Sequence, residues 1–265
     1  MAQSNPYRRW FAGAEDAKQY DEFVYGTDSY DAYIWDLEKP FLRSIIEQRA
    51  SRCHTVWYLD FASGSGRIIG ACEDLVSVSV GVDISEHMVR RSLPRVSRSR
   101  LFVGDLTDCP DLIRAKFDVI TAFRFFLNTE DEVRHRAIMA LSGLLKDKDS
   151  RLVFNMHGNS WSYLGLLNKI LQWRGRARHT TMSPLDVWRL VKLGNLEVEE
   201  WHGFGVLPRY LYRTPLRPLV SRFEQLARRV SLLKWISRDM LVVCRPSPPH
   251  GACRGGIRRR TRPIE

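Results

Sequence analysis

The feature that most constrains the fold is an alternation of strand-like and helix-like segments through the middle of the chain. Apolar runs, some with period-two alternation, predict five strands, at 55–61, 77–84, 100–105, 117–123 and 151–156. Helical patterns separate them at 66–74, 86–93 and 130–145. Elements that alternate at this spacing predict an α/β fold with a doubly wound parallel sheet, whose ligands bind at the carboxyl ends of the strands.

The flanking segments predict further elements. Residues 14–50 have a helical pattern with Ile34, Leu37, Phe41 and Ile45 on one face, and Pro40 predicts a break or kink. Thr129 and Glu132 form the pattern of a capping box before the helix at 130–145. Ser183-Pro184 predicts the start of another helix and Gly194 its end. Two later strands are expected at 196–204 and 239–245, with a helical stretch at 216–236 between them.

These patterns divide the chain into three expected parts. A helical cap takes residues 1–50, and a ligand-binding domain takes residues 51–245, with helical insertions at about 160–182 and 209–238. The segment 246–265 is rich in Pro, Gly and Arg, which predicts a disordered basic tail.

The net charge of +11 is concentrated at one end of the chain. Residues 1–200 contain 27 basic and 27 acidic side chains, whereas residues 201–265 contain 14 basic side chains and three acidic ones. The sheet region therefore lacks the composition of a basic nucleic-acid binder. The C-terminal quarter is suited to an anionic surface, such as phosphate, lipid headgroups or nucleic acid.

The remaining composition predicts a cytoplasmic protein. The apolar runs fall far short of the roughly 20 residues that span a bilayer, and the first 20 residues lack the apolar run of a signal peptide. The five cysteines are odd in number and widely spaced, without a C-x-x-C pair. We therefore expect the cysteines to be reduced thiols, and we expect neither a zinc site nor a disulfide framework.

The loop after the first predicted strand indicates the class of ligand. Its glycines, Gly64, Gly66 and Gly70, give G-x-G-x-x-x-G, which differs from the dinucleotide fingerprint G-x-G-x-x-G and is not a P-loop. Asp60, just before the loop, would repel a pyrophosphate. A carboxylate there favours a ligand with an ammonium or sulfonium cation.

These residues resemble motif I of the class I S-adenosylmethionine-dependent methyltransferases. In "LDFASGSGR", Asp60, Gly64 and Gly66 match that motif, and Ala62 stands where the family usually has its first glycine. "VGVDISEHMV", "VGDL" and "FDVITAFRFFLN" resemble the later motifs, in the family's order and at the ends of predicted strands. The resemblance covers about residues 50–160. It implies a Rossmann-like seven-stranded sheet, mostly parallel with an antiparallel C-terminal strand, and S-adenosylmethionine as cofactor.

The resemblance also implies the cofactor-binding residues. Asp83 is expected to accept both ribose hydroxyls, Asp105 to face the adenine amino group, and Leu106 to lie along the ring. The other expected cofactor residues are Asp60, Ala62, Gly64, Ser65, Gly66, Ile84, Met88 and Phe123. Tyr20 and Tyr25 are expected to close over the methionine end, with ordinary packing as the alternative. For Asp83 the alternative is a role as a helix N-cap, and for Asp105 it is a role as a turn residue.

Acceptor residues are expected after the fourth and fifth strands. His157 is placed to act as a general base for an alcohol, or to be bonded to backbone in a loop. Asn128 is the second catalytic candidate, and Asn159 can also orient a polar substrate. Arg124 is expected either to pair with an acidic substrate group or to cap the helix at 130–145.

The stretch "FRFFLN" lacks the Asn-Pro-Pro-Tyr type of tetrapeptide seen in methyltransferases that act on nucleobase amino groups. The pattern "AFRFFLN" with the later "GFGVLPRYLYRTP" resembles bacterial methyltransferases that act on small molecules, glycans or lipid-linked intermediates. This resemblance implies O-methylation of such an acceptor, with the basic stretch 209–238 resting on anionic lipid or phosphate, or simply packed on the sheet. An RNA methyltransferase anchored by the basic C-terminal region, and a non-catalytic S-adenosylmethionine-binding protein, remain the alternatives.

Overall fold

The computed structural model describes residue 26 and residues 29–174 and 180–248. This part of the chain contains a single sheet built from the strands β1 (Trp57–Phe61), β2 (Val78–Asp83), β3 (Arg100–Val103), β4 (Val119–Ala122), β5 (Arg151–Met156), β6 (Leu196–Phe204) and β7 (Asp239–Pro246). Their order across the sheet is β3-β2-β1-β4-β5-β7-β6. Strands β1 to β5 pair in parallel, and β7 is antiparallel to both β5 and β6. The predicted α/β class, with its mostly parallel seven-stranded sheet, is confirmed.

The helices in the described ranges are α1 (Tyr30–Ala50), α2 (Arg67–Gly70), α3 (Glu86–Ser92), α4 (Asp131–Gly143), α5 (Tyr163–Trp173), α6 (Pro184–Leu193), α7 (Arg217–Ala227) and α8 (Leu233–Ile236). Short 3-10 turns occur at Glu73–Leu75, Leu93–Arg95, Pro110–Leu112 and Arg209–Arg213. The single helix expected at 66–74 is thus wrong in detail, because α2 ends at Gly70, a poor helix former, and a 3-10 turn follows it. No helix in these ranges is long and apolar enough to cross a membrane.

Helix α1 differs from its prediction at two points. Ser29 caps its start by accepting a hydrogen bond from the N–H of Ala32 at 3.0 Å, and the helix continues through Pro40 without the expected break. Pro40 and Asp36 are exposed, so the carbonyl that loses its donor can bond water. The predicted start at residue 14 lies outside the described residues.

The buried face of α1 is also rotated from the predicted one. Of the predicted row only Ile34 is buried, and Leu37, Phe41 and Ile45 are part-buried. The buried side chains in the rest of the helix include Glu38, Leu42 and Ile46. Both rows have helical spacing, so apolar periodicity alone selected a face about one residue off. A buried glutamate at the centre of the inward face gave no apolar signal.

The caps of two other helices were predicted with opposite results. Ser183 and Asp186 form a full capping box at the start of α6, and Gly194 is its C-cap, as expected. Helix α4 instead begins after Glu130 without a side-chain cap, so the box of Thr129 with Glu132 is wrong. The Thr129 hydroxyl donates to the Phe125 carbonyl at 3.3 Å instead.

The helical stretch at 216–236 forms two helices, α7 and α8. On α7 the buried side chains are Val220, Glu224 and Ala227. Leu219, Phe223 and Leu226, which recur at helical intervals in the sequence and were expected to form the apolar face, are exposed. Burial of Glu224 is favourable because its carboxylate accepts hydrogen bonds from the backbone N–H groups of Gly205 at 3.2 Å and Val206 at 3.0 Å. This carboxylate sets the inward face of α7.

The sheet has an apolar core on each face. Side chains of α1 and α2 pack on one face with Tyr58, Val119 and Val153, and side chains of α4 and α6 pack on the other with Leu59, Ile120 and Leu152. Alternate residues of each central strand thus point to opposite cores, and the polar groups of interest lie at the carboxyl ends.

Candidate functional site

The loop after β1 turns through left-handed backbone at three alternate positions. Ala62 has φ 56°, Gly64 has φ 53° and Gly66 has φ 78°. A methyl group at Gly66 would lie 2.6 Å from Cβ of Ser92, so the close approach of α3 requires a glycine there. Ala62, which replaces the usual first glycine, adopts the left-handed conformation without one.

Gly64 differs from Gly66 because packing does not exclude a side chain there. A methyl group there would meet open space, its nearest neighbour being the Ala62 carbonyl oxygen at 4.0 Å. The backbone N–H of Gly64 donates to Asp83 Oδ2 at 2.8 Å, and the N–H of Ser85 donates to Asp83 Oδ1 at 2.8 Å. An open backbone edge beside a buried carboxylate fits a nucleoside ligand, whose ribose hydroxyls would donate to the remaining lone pairs of Asp83.

Asp60 lies below this loop rather than in its open face. The carboxylate is buried and accepts from the N–H of Ile69 at 3.1 Å and from the Thr121 hydroxyl at 2.7 Å. Burial raises the pKa of Asp60 to about 7. Its contacts position the first turn of α2 against the sheet.

The other expected cofactor residues fall into an exposed group and a buried group. Ile84 is 38% exposed beside Asp83, as a side chain that covers a ligand should be. Asp105 accepts from the N–H of Thr107 at 2.8 Å and from its hydroxyl at 2.6 Å. Met88 is buried in α3, and Leu106 is fully buried in the core, where its side chain offers no surface to a ligand.

Three expected residues complete the survey of the cofactor side. The Ser65 carbonyl accepts from Arg95 at 3.0 Å, which fixes the tip of the loop. Phe123 is buried after β4 and packs edge-on against Trp35, with ring centroids 5.8 Å apart. Tyr20, together with Tyr25, lies outside the described residues.

A pocket of about 630 Å³ lies at the carboxyl ends of β4 and β5, next to the cofactor side in the order of the sheet. We call it the acceptor pocket. His157 and Asn128 both line it, as do side chains of α5 and of the segment before β7. The volume is typical of a small-molecule site. Both catalytic candidates therefore lie beside one cavity.

Arg124 is held in a specific conformation at the rim of this pocket. Its backbone is left-handed, with φ 55°, and its N–H donates to Asn155 Oδ1 at 2.7 Å. Its guanidinium pairs with Asp31 at the start of α1 rather than with the end of α4. The expected helix cap is therefore not formed, and Arg124 faces the acceptor pocket.

The support beneath Arg124 is a buried polar pair. Nδ2 of Asn155 donates to the two carboxylate oxygens of Glu38 at 3.1 and 3.3 Å. Burial raises the pKa of Glu38 to about 8, so this carboxyl is mainly protonated at neutral pH. The pair links α1 to the end of β5.

Two further arginines, Arg209 and Arg238, line the pocket. Their guanidinium carbons lie 4.8 and 4.9 Å from the ring centroid of Tyr30, at the start of α1. Nη2 of Arg209 lies 3.2 Å from Asp31 Oδ2, and Nη1 of Arg238 lies 3.9 Å from Asp239 Oδ2. Sequence reasoning missed both residues as site residues. The signal for Arg238 was its place before an antiparallel strand, which starts where parallel strands end.

These charges determine the protonation state of His157. Burial, and then the charges of Arg124, Arg238 and Arg209, hold the pKa of His157 well below its ordinary value. The imidazole is therefore neutral at physiological pH and has the lone pair that a proton acceptor needs. Its Nδ1 is buried without a hydrogen-bond partner among the described residues.

Asn159 does not have the substrate-orienting role expected for it. Its side chain is fully buried and donates to the carbonyls of Trp235 at 2.7 Å and Ser237 at 2.8 Å. Its Oδ1 accepts from the N–H of Trp161 at 2.9 Å. Both Nδ2 donors and the Oδ1 acceptor of Asn159 thus form hydrogen bonds that connect the loop after β5 to the segment before β7. In the described ranges no group of His, Cys, Asp or Glu could hold a metal ion.

Comparison with known proteins agrees with this geometry. Residues 59–148 match the family model described as a methyltransferase domain. No curated protein matches the sequence of this chain. Among solved structures, magnesium protoporphyrin IX methyltransferase from Synechocystis PCC 6803 with bound SAH has 14% identity and a TM-score of 0.59, covering 91% of this chain and 97% of its own. An S-adenosylmethionine-dependent methyltransferase from Clostridium acetobutylicum ATCC 824 has 13% identity and a TM-score of 0.54, covering 88% of this chain and 98% of its own.

The matched segment runs from the middle of β1 to the turn before β5 and includes the loop of Gly64, the buried carboxylate Asp83 and Asp105. The structural similarity extends the same fold over most of the chain. The motifs, the open edge at Gly64 and the family match agree on one identification. The methyltransferase-domain match over residues 59–148 and the shared fold together support an S-adenosylmethionine-dependent methyltransferase, with S-adenosylmethionine as its cofactor.

Proposed function

We propose that the protein transfers a methyl group to an oxygen atom of a small molecule, a glycan or a lipid-linked intermediate bound in the acceptor pocket. The observation that carries this proposal is the position of His157. A neutral imidazole lines a small-molecule-sized cavity next to the cofactor side of the sheet. An oxygen acceptor needs only in-line placement and, if it is a hydroxyl, removal of one proton.

Each residue then has a definite task. S-adenosylmethionine supplies the electrophilic methyl group on its sulfonium. Gly64 and Asp83 hold the nucleoside part, and Ile84 covers it. In the acceptor pocket His157 accepts the proton of an acceptor hydroxyl, and Asn128, whose Nδ2 donates to the Arg124 carbonyl at 2.6 Å, orients the acceptor with its oxygen. Leu127 and Leu171 line the same pocket and limit the entry of water.

The test is methyl transfer from labelled S-adenosylmethionine to a panel of hydroxylated and acidic small molecules, glycans and polyprenyl-linked sugars. We expect the purified protein to methylate at least one class at oxygen, and His157→Gln to reduce kcat by about a hundredfold for a hydroxyl acceptor. His135→Gln, which changes an exposed histidine on α4, is the matched control. Methylation of RNA instead of these acceptors would contradict the proposed acceptor class. Unchanged turnover in His157→Gln would contradict the role of His157 as a general base.

We further propose that α7 touches an anionic membrane or a phosphorylated carrier. Its outward row Leu219, Phe223 and Leu226 is 60%, 40% and 61% exposed, and Arg222 and Arg229 are exposed beside it. Apolar and basic side chains on one helix face are typical of interfacial helices.

The four cysteines in the described ranges are free thiols, which supports our expectation of the reducing cytoplasm.

Co-sedimentation with vesicles tests this contact. We expect binding to vesicles containing phosphatidylglycerol, little binding to pure phosphatidylcholine, and loss of binding in Leu219→Glu/Phe223→Glu. The matched control is Met139→Glu, which changes an exposed apolar residue on α4. Equal binding by both variants and the wild type would contradict the contact.

The domain boundaries stay as proposed from the sequence, with one refinement. Residues 51–245 form the methyltransferase domain, and we assign α1 to it, since Leu42 and Ile46 belong to the core on one face of the sheet. The remainder of the expected cap, 1–25, and most of the expected tail, 249–265, lie outside the described residues.

A further inference from the structure

The acceptor pocket has an unbalanced charge. Its charged lining side chains are Arg124, Arg209, Arg238 and Asp31. Three guanidinium groups around one cavity repel one another, and arginine keeps its charge inside proteins. Such a cluster costs stability unless negative charge compensates it.

The three guanidinium groups are held together by the first two residues of α1. Arg124 and Arg209 share the Asp31 carboxylate, one on each oxygen. Arg209 and Arg238 both lie over the ring of Tyr30. The Asp31 carboxylate and the Tyr30 ring thus hold together three arginines that come from separate segments of the chain.

The protein's own carboxylates offset the charge of this cluster only in part: Nη1 of Arg238 lies 3.9 Å from Asp239 Oδ2, too far for a hydrogen bond. Asp31 is divided between two arginines, and Asp239 Oδ2 accepts a 2.5 Å hydrogen bond from the Tyr30 hydroxyl. Nη1 of Arg238 is buried with no hydrogen-bond partner among the described residues. Burial, followed by the charge of Arg238, lowers the pKa of Arg209. A buried donor that forms no hydrogen bond at the wall of a cavity favours an acceptor group inside it.

The position of Arg238 is fixed by its backbone. Its carbonyl accepts from the N–H of Asn159 at 3.1 Å, and its N–H donates to the Gly205 carbonyl at 3.3 Å. Asn159 is in turn fully bonded, as described above. The backbone of Arg238 is therefore already ordered before a ligand binds, which lowers the entropic cost of binding.

We infer that the acceptor carries an anionic oxygen group, a carboxylate or a phosphate, which Arg124, Arg209 and Arg238 bind beside His157. Guanidinium groups bind both anions through paired N–H···O bonds. This inference rests on the proposed function only in treating the pocket as the acceptor site. A carboxylate is ionised at neutral pH, so it would serve as the methyl acceptor itself without a base, whereas a phosphate would serve as a handle next to the reacting hydroxyl.

The test is direct titration with sodium phosphate and sodium acetate, at constant ionic strength, of the full chain with and without S-adenosylhomocysteine. We expect millimolar binding of at least one anion by the wild type, and about tenfold weaker binding in Arg238→Gln and in Arg209→Gln. The control is Arg189→Gln, which changes an exposed arginine on α6 and should bind as the wild type does. Preference for phosphate identifies a phosphate handle, and preference for acetate a carboxylate.

The outcomes separate this inference from the proposed function. Arg209 is 45% exposed at its side chain, so Arg209→Gln should keep the fold even if Arg238→Gln does not. Absence of anion binding by the wild type, or equal binding by wild type, Arg209→Gln and Arg189→Gln, would overturn the inference whatever the enzyme methylates. Anion binding together with a lack of O-methyl transfer would leave the subsite in place and remove the proposed reaction.

Discussion

Asn155 Oδ1 accepts a 2.7 Å hydrogen bond from the backbone N–H of Arg124, a residue with φ 55°. A non-glycine residue in that region is strained by about 1–3 kcal/mol unless its surroundings hold it there. The same amide donates to the buried Glu38. Asn155 therefore connects the core under α1 to an arginine of the acceptor pocket, and it acts as a positioning residue.

Replacing this amide should affect both stability and the acceptor pocket. We expect Asn155→Ala to lower the free energy of unfolding by about 1–3 kcal/mol, because the Arg124 N–H and the Glu38 carboxyl lose a buried partner. We also expect weaker acceptor binding, seen as a raised KM, with little change in the affinity for S-adenosylhomocysteine. Urea denaturation and titration measure the two effects. The exposed Asn128→Ala should unfold as the wild type does, and a similar loss in both variants would contradict this role.

The raised pKa of Glu38 makes stability depend on pH. The folded state keeps its proton up to about pH 8, whereas the unfolded chain releases it near the ordinary value of 4.5. The folded state thus binds more protons in that window, so the free energy of unfolding falls as pH rises from about 5 to 8, with a slope of at most about 1.4 kcal/mol per pH unit from this group.

Glu38→Gln tests this dependence, since glutamine keeps an acceptor for Asn155 and cannot ionise. We expect the variant to gain stability relative to the wild type as pH rises from 5 to 8, measured by urea denaturation at each pH. Glu47→Gln, an exposed change on the same helix, should track the wild type. Parallel curves for Glu38→Gln and the wild type would mean that Glu38 does not titrate in this window.

The three left-handed positions of the first loop should respond differently to substitution. Ala62→Gly should leave stability within about 1 kcal/mol of the wild type, because relief of left-handed strain opposes the larger entropy of the unfolded chain. Gly66→Ala should destabilise clearly, because the new methyl group would collide with Ser92. Thermal unfolding measures both, and a stable Gly66→Ala would contradict the close packing of α3.

Gly64→Ala separates folding from cofactor binding. Its methyl group would meet open space, so the loss of stability should be limited to the backbone strain, about 1 kcal/mol. The same methyl group would occupy the face assigned to the nucleoside. We expect about tenfold or greater loss of affinity for S-adenosylhomocysteine in calorimetry. Unchanged affinity would place the nucleoside elsewhere.

The low pKa of His157 has a spectroscopic signature. Burial and the arginines keep its imidazole neutral, so its ring protons should not shift between pH 6.5 and 8 in an NMR titration. Removing one charge in Arg209→Gln should raise the pKa of His157. The signal is assigned by its absence in His157→Gln. A wild-type midpoint near the ordinary value would contradict the arrangement of charges around the imidazole.

The strands and the cofactor loop were predictable because their signals are local. Apolar runs that end in Asp60 and Asp83 mark strand ends directly, and the fold places these ends at one edge. Asn128 and His157 followed from the same rule. The arginine cluster has no local signal as a group, because Arg209 and Arg238 lie far apart in sequence, between β6 and β7, and meet Arg124 only in the folded chain.

Buried polar groups account for the other failures. Glu38 and Glu224 lie on the inward faces of α1 and α7, so a search for apolar rows selected the neighbouring faces. Their burial depends on partners distant in sequence, Asn155 for Glu38 and the turn at Gly205 for Glu224. Asn159 was misjudged for the same reason, since its partners are backbone carbonyls near residue 236.

The most direct test of the cofactor site is calorimetric titration of the wild type and of Asp83→Ala with S-adenosylhomocysteine, with NAD as a control ligand. We predict micromolar binding by the wild type, no binding of NAD, and a loss of at least about a hundredfold in Asp83→Ala, because two charge-assisted hydrogen bonds to ribose disappear. Circular dichroism should show that the variant is folded. Equal affinity of the folded Asp83→Ala and the wild type, or binding of NAD alone, would contradict the account.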